Sequence, residues 1–299
     1  MPRLAVEVVA LFGPTGAGKT AVAEVLADTL ETEVVSADAM QVYRGLPILT
    51  NQPGRPTRLV AIRELSERMS LGEYATLAHT EIDELVDTRG SAVVAGGTGL
   101  YLRAALADLH LPPPVATHVR QRWGEEYDED PEAAFATLRE RDPEAAALVH
   151  VNDRKRVVRA LELTEAGASL VPQEDRLWTS EARRATLVVG LDVPRRTLER
   201  RIEERTQAMF RRGVVEEVQK ALAASPISHT AAKTLGLHEL GTASPAEAEA
   251  AIVRRTRRYA AYQRKWMRRI PGIVMIDAEP PPAEVAGEIL ERLRGLQLP

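Results

Sequence analysis

Gly13-Pro14-Thr15-Gly16-Ala17-Gly18-Lys19-Thr20 fits the pattern G-x-x-x-x-G-K-[ST] in full. Glycines let such a loop wrap until its backbone N–H groups converge on phosphate oxygens, and the helix behind it adds partial positive charge. Lys19 has the reach for a terminal phosphate, and the Thr20 hydroxyl is placed to sit on Mg2+. The segment predicts a phosphorylated ligand with Mg2+, and does not single out ATP. A second candidate is Asp38, just beyond the apolar Glu33-Val34-Val35-Ser36-Ala37. Strand ends line the ligand crevice of an open α/β sheet, so Asp38 should face the phosphate loop. It can hold the metal, accept a proton from a nucleophile, or merely cap a helix. The third such end, Val94-Ala95-Gly96-Gly97-Thr98-Gly99, carries glycines and a hydroxyl but no acid. The missing metal-holding carboxylate weighs against an ATPase, and the glycines allow close backbone approach to a ligand, although a tight turn explains them equally well.

The elements that must position these groups are legible as short apolar runs. Leu4 to Phe12, Glu33 to Ala37, Ala92 to Ala95, Thr186 to Leu191 and Ile273 to Ile276 read as buried parallel strands separated by helical patterns. The fold class expected is α/β: a P-loop NTPase-like parallel sheet flanked by helices, with an inserted all-helical lobe. Residues 1–110 and 186–299 would form the core domain, with a C-terminal helical segment at 200–270, and 111–185 the insertion. That insertion opens on Leu111-Pro112-Pro113-Pro114, and Asp130-Pro131 and Asp142-Pro143 within it read as helix starts.

Composition narrows the function classes. The 299 residues carry 39 Lys+Arg against 43 Asp+Glu, a net charge of −4, which excludes a uniformly basic nucleic-acid coat but not a local patch. With no cysteine there are no disulfides, thiolate metal sites or cysteine nucleophiles. His79, His110, His118, His150, His229 and His238 show no ligand spacing, so no zinc site is expected. No apolar run approaches the ~18 residues of a membrane span, and Glu7 interrupts the first apolar stretch before a signal peptide could form. A cytoplasmic protein without membrane contact is expected.

Two basic clusters stand out. Arg154, Lys155, Arg156 and Arg159 lie on a helical pattern whose other face is Val157, Val158, Leu161 and Leu163. Arg254, Arg255, Arg257, Arg258, Arg264, Lys265, Arg268 and Arg269 follow without an intervening acid, interleaved with Tyr259, Tyr262 and Trp266. Guanidinium groups pair with phosphates and flat side chains stack on unpaired bases. The self-repulsion of the second run suggests a polyanion nearby, although its aromatics can equally be the core face of an amphipathic helix.

Taken together, Gly13 to Thr20, Ser36 to Gly45 and Gly96 to Tyr101 resemble the tRNA dimethylallyltransferases. The resemblance runs on through Asn152 to Glu162, Arg201 to Met209 and Gly213, and Gln263-Arg264-Lys265-Trp266-Met267-Arg268, covering most of the chain in the family's order. It implies transfer of a dimethylallyl group from dimethylallyl diphosphate to the N6 amine of adenosine at tRNA position 37, immediately 3′ of the anticodon. Gly13, Pro14, Thr15, Gly16, Ala17, Gly18, Lys19 and Thr20 would then hold the donor's diphosphate, with Thr20 on Mg2+. Asp38 is similar to the family's catalytic aspartate and Thr98 to the threonine at the reacting region. Arg205, picked out by its spacing to Met209, would stabilise the leaving group, with Arg201 as the fallback. The tRNA contacts implied are Asp38, Ala39, Met40, Gln41, Arg120, Asn152, Arg154, Lys155, Arg156, Arg159, Gln263, Arg264, Lys265, Trp266 and Arg268. The partners are the anticodon stem-loop of tRNA and the allylic diphosphate, with the protein acting as a monomer.

The chain departs from the family pattern in places. The His-rich stretch before Ser70-Leu71-Gly72-Glu73-Tyr74 is missing, leaving a short segment after Asn51-Gln52-Pro53. Gly236-Leu237-His238-Glu239 stands where a Gly-Tyr-x-Glu turn is usual, and Val151 replaces a proline. The competing readings are prenyl transfer to free AMP or ADP, a P-loop small-molecule kinase, and a catalytically silent RNA-binding module. The helical insertion and long basic run weigh against the first, and the intact Lys19, Thr20, Asp38 and Thr98 set against the last.

Overall fold

The structure is a computed structural model that describes residues 6–109, 111–113, 115–171, 176–224 and 226–296. Leu4, Ala5, His110 and Pro114 therefore lie outside the described residues. The chain divides into two compact units, one formed by Met1–Ala107 with Trp178–Pro299 and the other by Asp108–Leu177.

The larger unit is built on a five-stranded, all-parallel sheet. In chain order it contains β1 (Val8–Phe12), α1 (Lys19–Thr29), β2 (Val34–Ser36), α2 (Leu71–Arg89), β3 (Ala92–Gly96) and α3 (Gly99–Leu106). The smaller unit holds α4 (Thr117–Glu129), α5 (Pro131–Arg141), α6 (Pro143–Ala147) and α7 (Arg154–Glu165). The larger unit resumes with β4 (Thr186–Asp192), α8 (Arg195–Arg211), α9 (Val214–Ala224), α10 (Leu237–Thr242), α11 (Pro245–Met267), β5 (Val274–Asp277) and α12 (Pro282–Gly295). The sheet order is β2-β3-β1-β4-β5. No described helix is long and apolar enough to cross a membrane.

β1 is central and covered on both faces, which is why its sequence reads as an unbroken apolar run. Val9 and Leu11 join Val22 and Leu26 of α1, Leu198 and Ile202 of α8, and Val285 and Ile289 of α12 in one apolar cluster. On the other face α2 and α3 pack together, and the buried Tyr74 stacks on Tyr101 at 4.1 Å between ring centroids. The Tyr74 hydroxyl donates to the Ser36 carbonyl at 3.0 Å, pinning the last residue of β2. That strand is short and lies at the sheet edge. The segment after Pro53 runs beside it, with Ser36 N donating to Arg58 O at 3.0 Å and Arg58 N to Val34 O at 2.9 Å. Missing family residues here still leave enough chain to cover the edge.

In the smaller unit both Asp-Pro pairs start helices, as their chemistry predicts. Asp130 Oδ1 accepts from Ala133 N at 3.0 Å, and Asp142 Oδ1 from Ala145 N at 2.9 Å, each with proline in the first turn. Trp123, Tyr127, Leu138, Val157 and Leu161 form this unit's own core.

Register brings the strand ends level. Phe12 pairs with Gly96, and Ser36 with Ala95, so the residues following β1, β2 and β3 emerge at one edge. A Cβ on Gly96 would fall inside the Ala37 carbonyl, so β2 and β3 can close up only around a glycine. Replacing Gly96 with Ala should therefore cost several kcal/mol by overpacking. Gly287→Ala, on an open helical surface, should instead stabilise by about 0.5–1 kcal/mol. Thermal denaturation of both variants checks the pair: equal melting temperatures would show that the close approach at Gly96 is not binding.

Candidate active site

The loop between β1 and α1 turns through Gly18, whose φ of +86° an L side chain would adopt only with strain. Gly18 caps α1 without a side-chain hydrogen bond, so the first amides of the helix point out of its N-terminus as anion donors. Lys19 Nζ folds back onto the loop, donating to Gly13 O at 2.9 Å and Pro14 O at 3.0 Å. Beside it opens a small cleft. Its lining includes the polar Thr15, Lys19, Thr20, Asp38, Gln41, Asn51, Arg205 and Tyr259 and the apolar Leu49, Met209, Leu235 and Ile252.

Asp38 leaves β2 in a side-chain turn, its Oδ1 accepting from Met40 N at 3.0 Å. It does not cap a helix. Thr98, at the end of β3, accepts from Ala39 N at 3.2 Å and lies 3.5 Å from the Tyr259 hydroxyl. The loops after β2 and β3 are thus tied together beside the Asp38 carboxylate. Burial pushes the Lys19 ammonium down to about 8; Asp38 opposes the shift and Arg205 adds to it. Burial likewise lowers Arg205, again against Asp38. Two cations held in a low-dielectric cleft with a single carboxylate make a site that a polyanion would relieve.

Arg205 is the arginine of α8 that lines this cleft. Arg201, the fallback, lies behind the loop, its guanidinium 3.4 Å from Gly16 O and 3.3 Å from Ala278 O. Gly97 and Gly99 correct an expectation. The space beside them is taken by Gln263, with Lys19 Nζ near Gly97, and by the Trp266 ring, so their missing side chains admit helix α11.

Several residues expected to touch RNA are occupied within the protein. Gln263 is 2% exposed, its amide spent on Thr15 N and Gly97 O, each at 2.8 Å. Gln41 accepts from Ser36 Oγ at 2.9 Å and donates to Asn51 O at 3.1 Å, shaping the cleft wall instead of reaching outward. In the smaller unit Arg120 and Arg159 neutralise the buried Glu162, and Arg154 pairs with Asp128 at 2.5 Å. Asn152, Lys155 and Arg156 there are exposed. On α11 the basic run is not left to repel itself. Arg255 pairs with Glu239, Arg257 with Glu203, and Arg264 with Asp192 at 3.0 Å, acids supplied by other elements. Tyr262, Lys265 and Arg268 remain exposed, whereas Trp266 is half-buried against Trp178 at 4.8 Å.

One positioning group was not legible in sequence. Glu217 of α9 accepts from the amides of Ile48 and Leu49, both at 2.8 Å, and so fixes the loop that contributes Leu49, Thr50 and Asn51 to the cleft. Its partners are backbone groups some 170 positions away, and no spacing rule reaches them.

Comparison with known proteins agrees with this geometry. The chain matches the IPP transferase family over residues 41–270 and the isopentenyl transferase family over 6–66. It is 35% identical to a tRNA dimethylallyltransferase of Kineococcus radiotolerans, covering 96% of both chains. A tRNA dimethylallyltransferase of Symbiobacterium thermophilum is also 35% identical, over 92% of this chain and 90% of that one. Among solved structures, the tRNA isopentenylpyrophosphate transferase of Bacillus halodurans superposes with a TM-score of 0.66 at 28% identity, covering 97% of each chain. A eukaryotic dimethylallyltransferase captured acting on tRNA gives 0.70 at 25% identity, over 91% of this chain and 74% of that one.

The lowered Lys19 sets a pH test. Anion binding uses the ammonium form, so affinity for inorganic diphosphate should fall as pH rises through about 8. Lys19→Arg, which keeps its charge, should lose that limb. Calorimetric titration across this range checks it, and identical pH profiles for the two proteins would remove Lys19 from the anion site.

Proposed function

This chain belongs to the IPP transferase family, and we propose that it is a tRNA dimethylallyltransferase, an enzyme that prenylates adenosine in tRNA. The observation that carries this reading is the two-natured cleft. Lys19 and Thr20 of the anion-binding loop, Arg205 and Asp38 share one lining with the apolar Leu49, Met209, Leu235 and Ile252. A five-carbon allylic diphosphate has that same division of charge and hydrocarbon. We take dimethylallyl diphosphate as the donor and the N6 amine of adenosine 37, beside the anticodon, as the acceptor.

The exocyclic amine is a weak nucleophile because its lone pair is delocalised into the purine. In the reaction its nitrogen bonds the allylic carbon, the carbon–oxygen bond to diphosphate breaks, and the N6 proton goes to Asp38. Lys19, Arg205 and the amides of Gly18, Lys19 and Thr20 stabilise the charge that develops on the departing diphosphate. Thr98 keeps the loop after Asp38 in place through Ala39 N. The Thr20 hydroxyl, on the cleft lining, offers the hard oxygen that would help hold Mg2+, leaving Asp38 free for the proton. Bound there, Mg2+ would hold diphosphate oxygens and neutralise their charge.

For RNA, the reading uses the exposed Lys265, Arg268 and Tyr262 of α11, the backbone of Ala39 and Met40, and Asn152, Lys155 and Arg156 of the smaller unit. The target base must leave its stack to reach Asp38. The enzyme acts as a monomer in the cytoplasm on this account.

Incubation with Mg2+, dimethylallyl diphosphate and an anticodon stem-loop, followed by nucleoside mass spectrometry, should yield prenylated adenosine from RNA and none from free AMP. Phosphoryl transfer from ATP without prenylation would reverse the reading. Asp38→Ala should lower turnover by about 10²–10⁴-fold with little change in RNA affinity; near-normal turnover would deny it the proton. Lys265→Ala with Arg268→Ala should weaken RNA binding and reduce the slope of log affinity against log salt by about 1–1.5. An unchanged slope would move the phosphate contacts elsewhere.

A further inference from the structure

We infer that Gln263 is a positioning residue that sets the spacing between the diphosphate cradle and the Asp38 end of the site, an inference that rests on the function proposed above. Its carboxamide is used at both ends. Oε1 accepts from Thr15 N in the loop after β1, and Nε2 donates to Gly97 O after β3, both at 2.8 Å. The next residue, Thr98, holds Ala39 N at 3.2 Å in the loop after β2. One side chain and one hydroxyl thereby join the three loops that carry the diphosphate contacts, Thr98 and Asp38. Past the paired residues Phe12, Ser36 and Gly96 the loops after β2 and β3 keep backbone bonds, Ala37 N to Ala95 O at 2.8 Å and Thr98 N to Ala37 O at 3.4 Å, whereas the loop after β1 is joined to that after β3 through the Gln263 side chain.

The site is shaped for this tie. Gly97 has no side chain where the Gln263 amide sits, and a Cβ there would collide with Nε2. Thr15 N, turned to Gln263, is withdrawn from the set of loop amides that would face an anion. Gln263 also hangs from the helix whose outer face carries Lys265 and Arg268, so the segment read as meeting RNA is the one that holds the cradle. Displacement transfer needs the nucleophile, carbon and leaving group in line, and a shift of about 1 Å costs on the order of 10²-fold. A length-matched apolar residue at 263 would fill the space and leave the loops free to shift.

The test uses the full-length protein and two variants, Gln263→Met and Gln263→Glu, with Leu293→Ala on α12 as a destabilised control. Gln263→Met should lower the single-turnover rate at saturating donor and stem-loop by about 10²-fold, while the binding constants of inorganic diphosphate and of RNA alone move less than about threefold. Amide hydrogen exchange should quicken in residues 13–20 and in 96–99 together. Gln263→Glu retains an acceptor for Thr15 N but sets a carboxylate against the Gly97 carbonyl, so exchange should quicken in 96–99 alone. A Gln263→Met rate within twofold of the parent, a loss equalled by Leu293→Ala, or exchange unchanged at 96–99 would each overturn the inference. Absence of prenylated adenosine from the unaltered protein would instead defeat the functional reading, while the exchange data would still judge the tie.

Discussion

The site depends on one constraint: three neighbouring parallel strands must end level. Phe12 opposite Gly96 and Ser36 opposite Ala95 fix that level by backbone hydrogen bonding, and a one-residue slip would turn every buried side chain of a strand to the wrong face. The burial of β1 on both faces makes such a slip costly, since Val8 to Phe12 are at most 2% exposed. Tyr74 secures the end of β2 from the helical layer, and Gly96 lets β2 and β3 meet. Past the strand ends, side chains add to the few remaining backbone bonds as spacers: Thr98, Gln263 and Glu217 each hold a backbone group of a neighbouring loop.

Electrostatics follows from this placement. Bringing strand ends together gathers Lys19, Arg205 and Asp38 into a cleft where burial disfavours both cations. The cost is borne by the folded protein and is relieved by an anion with more charge than one carboxylate supplies. A diphosphate would meet that requirement, and the apolar Leu49, Met209, Leu235 and Ile252 on the same lining suit the prenyl chain of the proposed donor. On α11 the opposite holds: acids from α8, α10 and the end of β4 pair with three of its arginines, leaving a shorter cationic face than the sequence suggests.

Much of this was legible in the residues. The phosphate loop, the five parallel strands to within a few residues, the Asp-Pro helix starts and the family resemblance rest on local patterns, and local patterns survive folding. The first strand was read too long because Val6 is apolar, although the ladder begins at Val8. Gln263 was assigned an RNA contact and is buried, and Gln41, Arg120 and Arg159, assigned the same role, spend hydrogen bonds within the protein, Arg120 while remaining exposed. Polar residue type does not reveal direction, and their partners, Asn51 O, Gly97 O and Glu162, come from other parts of the chain. Glycines 97 and 99 were expected to admit a ligand, yet a missing side chain records only that something is close, and here it is Gln263 and Trp266. Glu217 gave no signal, since a carboxylate that clamps backbone amides looks in sequence like any solvated acid.

The central claim is that the loop after β1 grips the diphosphate of a prenyl donor whose hydrocarbon lies toward Met209 and Ile252. A crystal structure with the unreactive thiolo analogue of dimethylallyl diphosphate tests it most directly. The account predicts diphosphate oxygens on Lys19 Nζ and the amides of Gly18, Lys19 and Thr20, with the allylic carbon facing Asp38. Diphosphate bound away from that loop, or hydrocarbon directed away from Asp38, would contradict it.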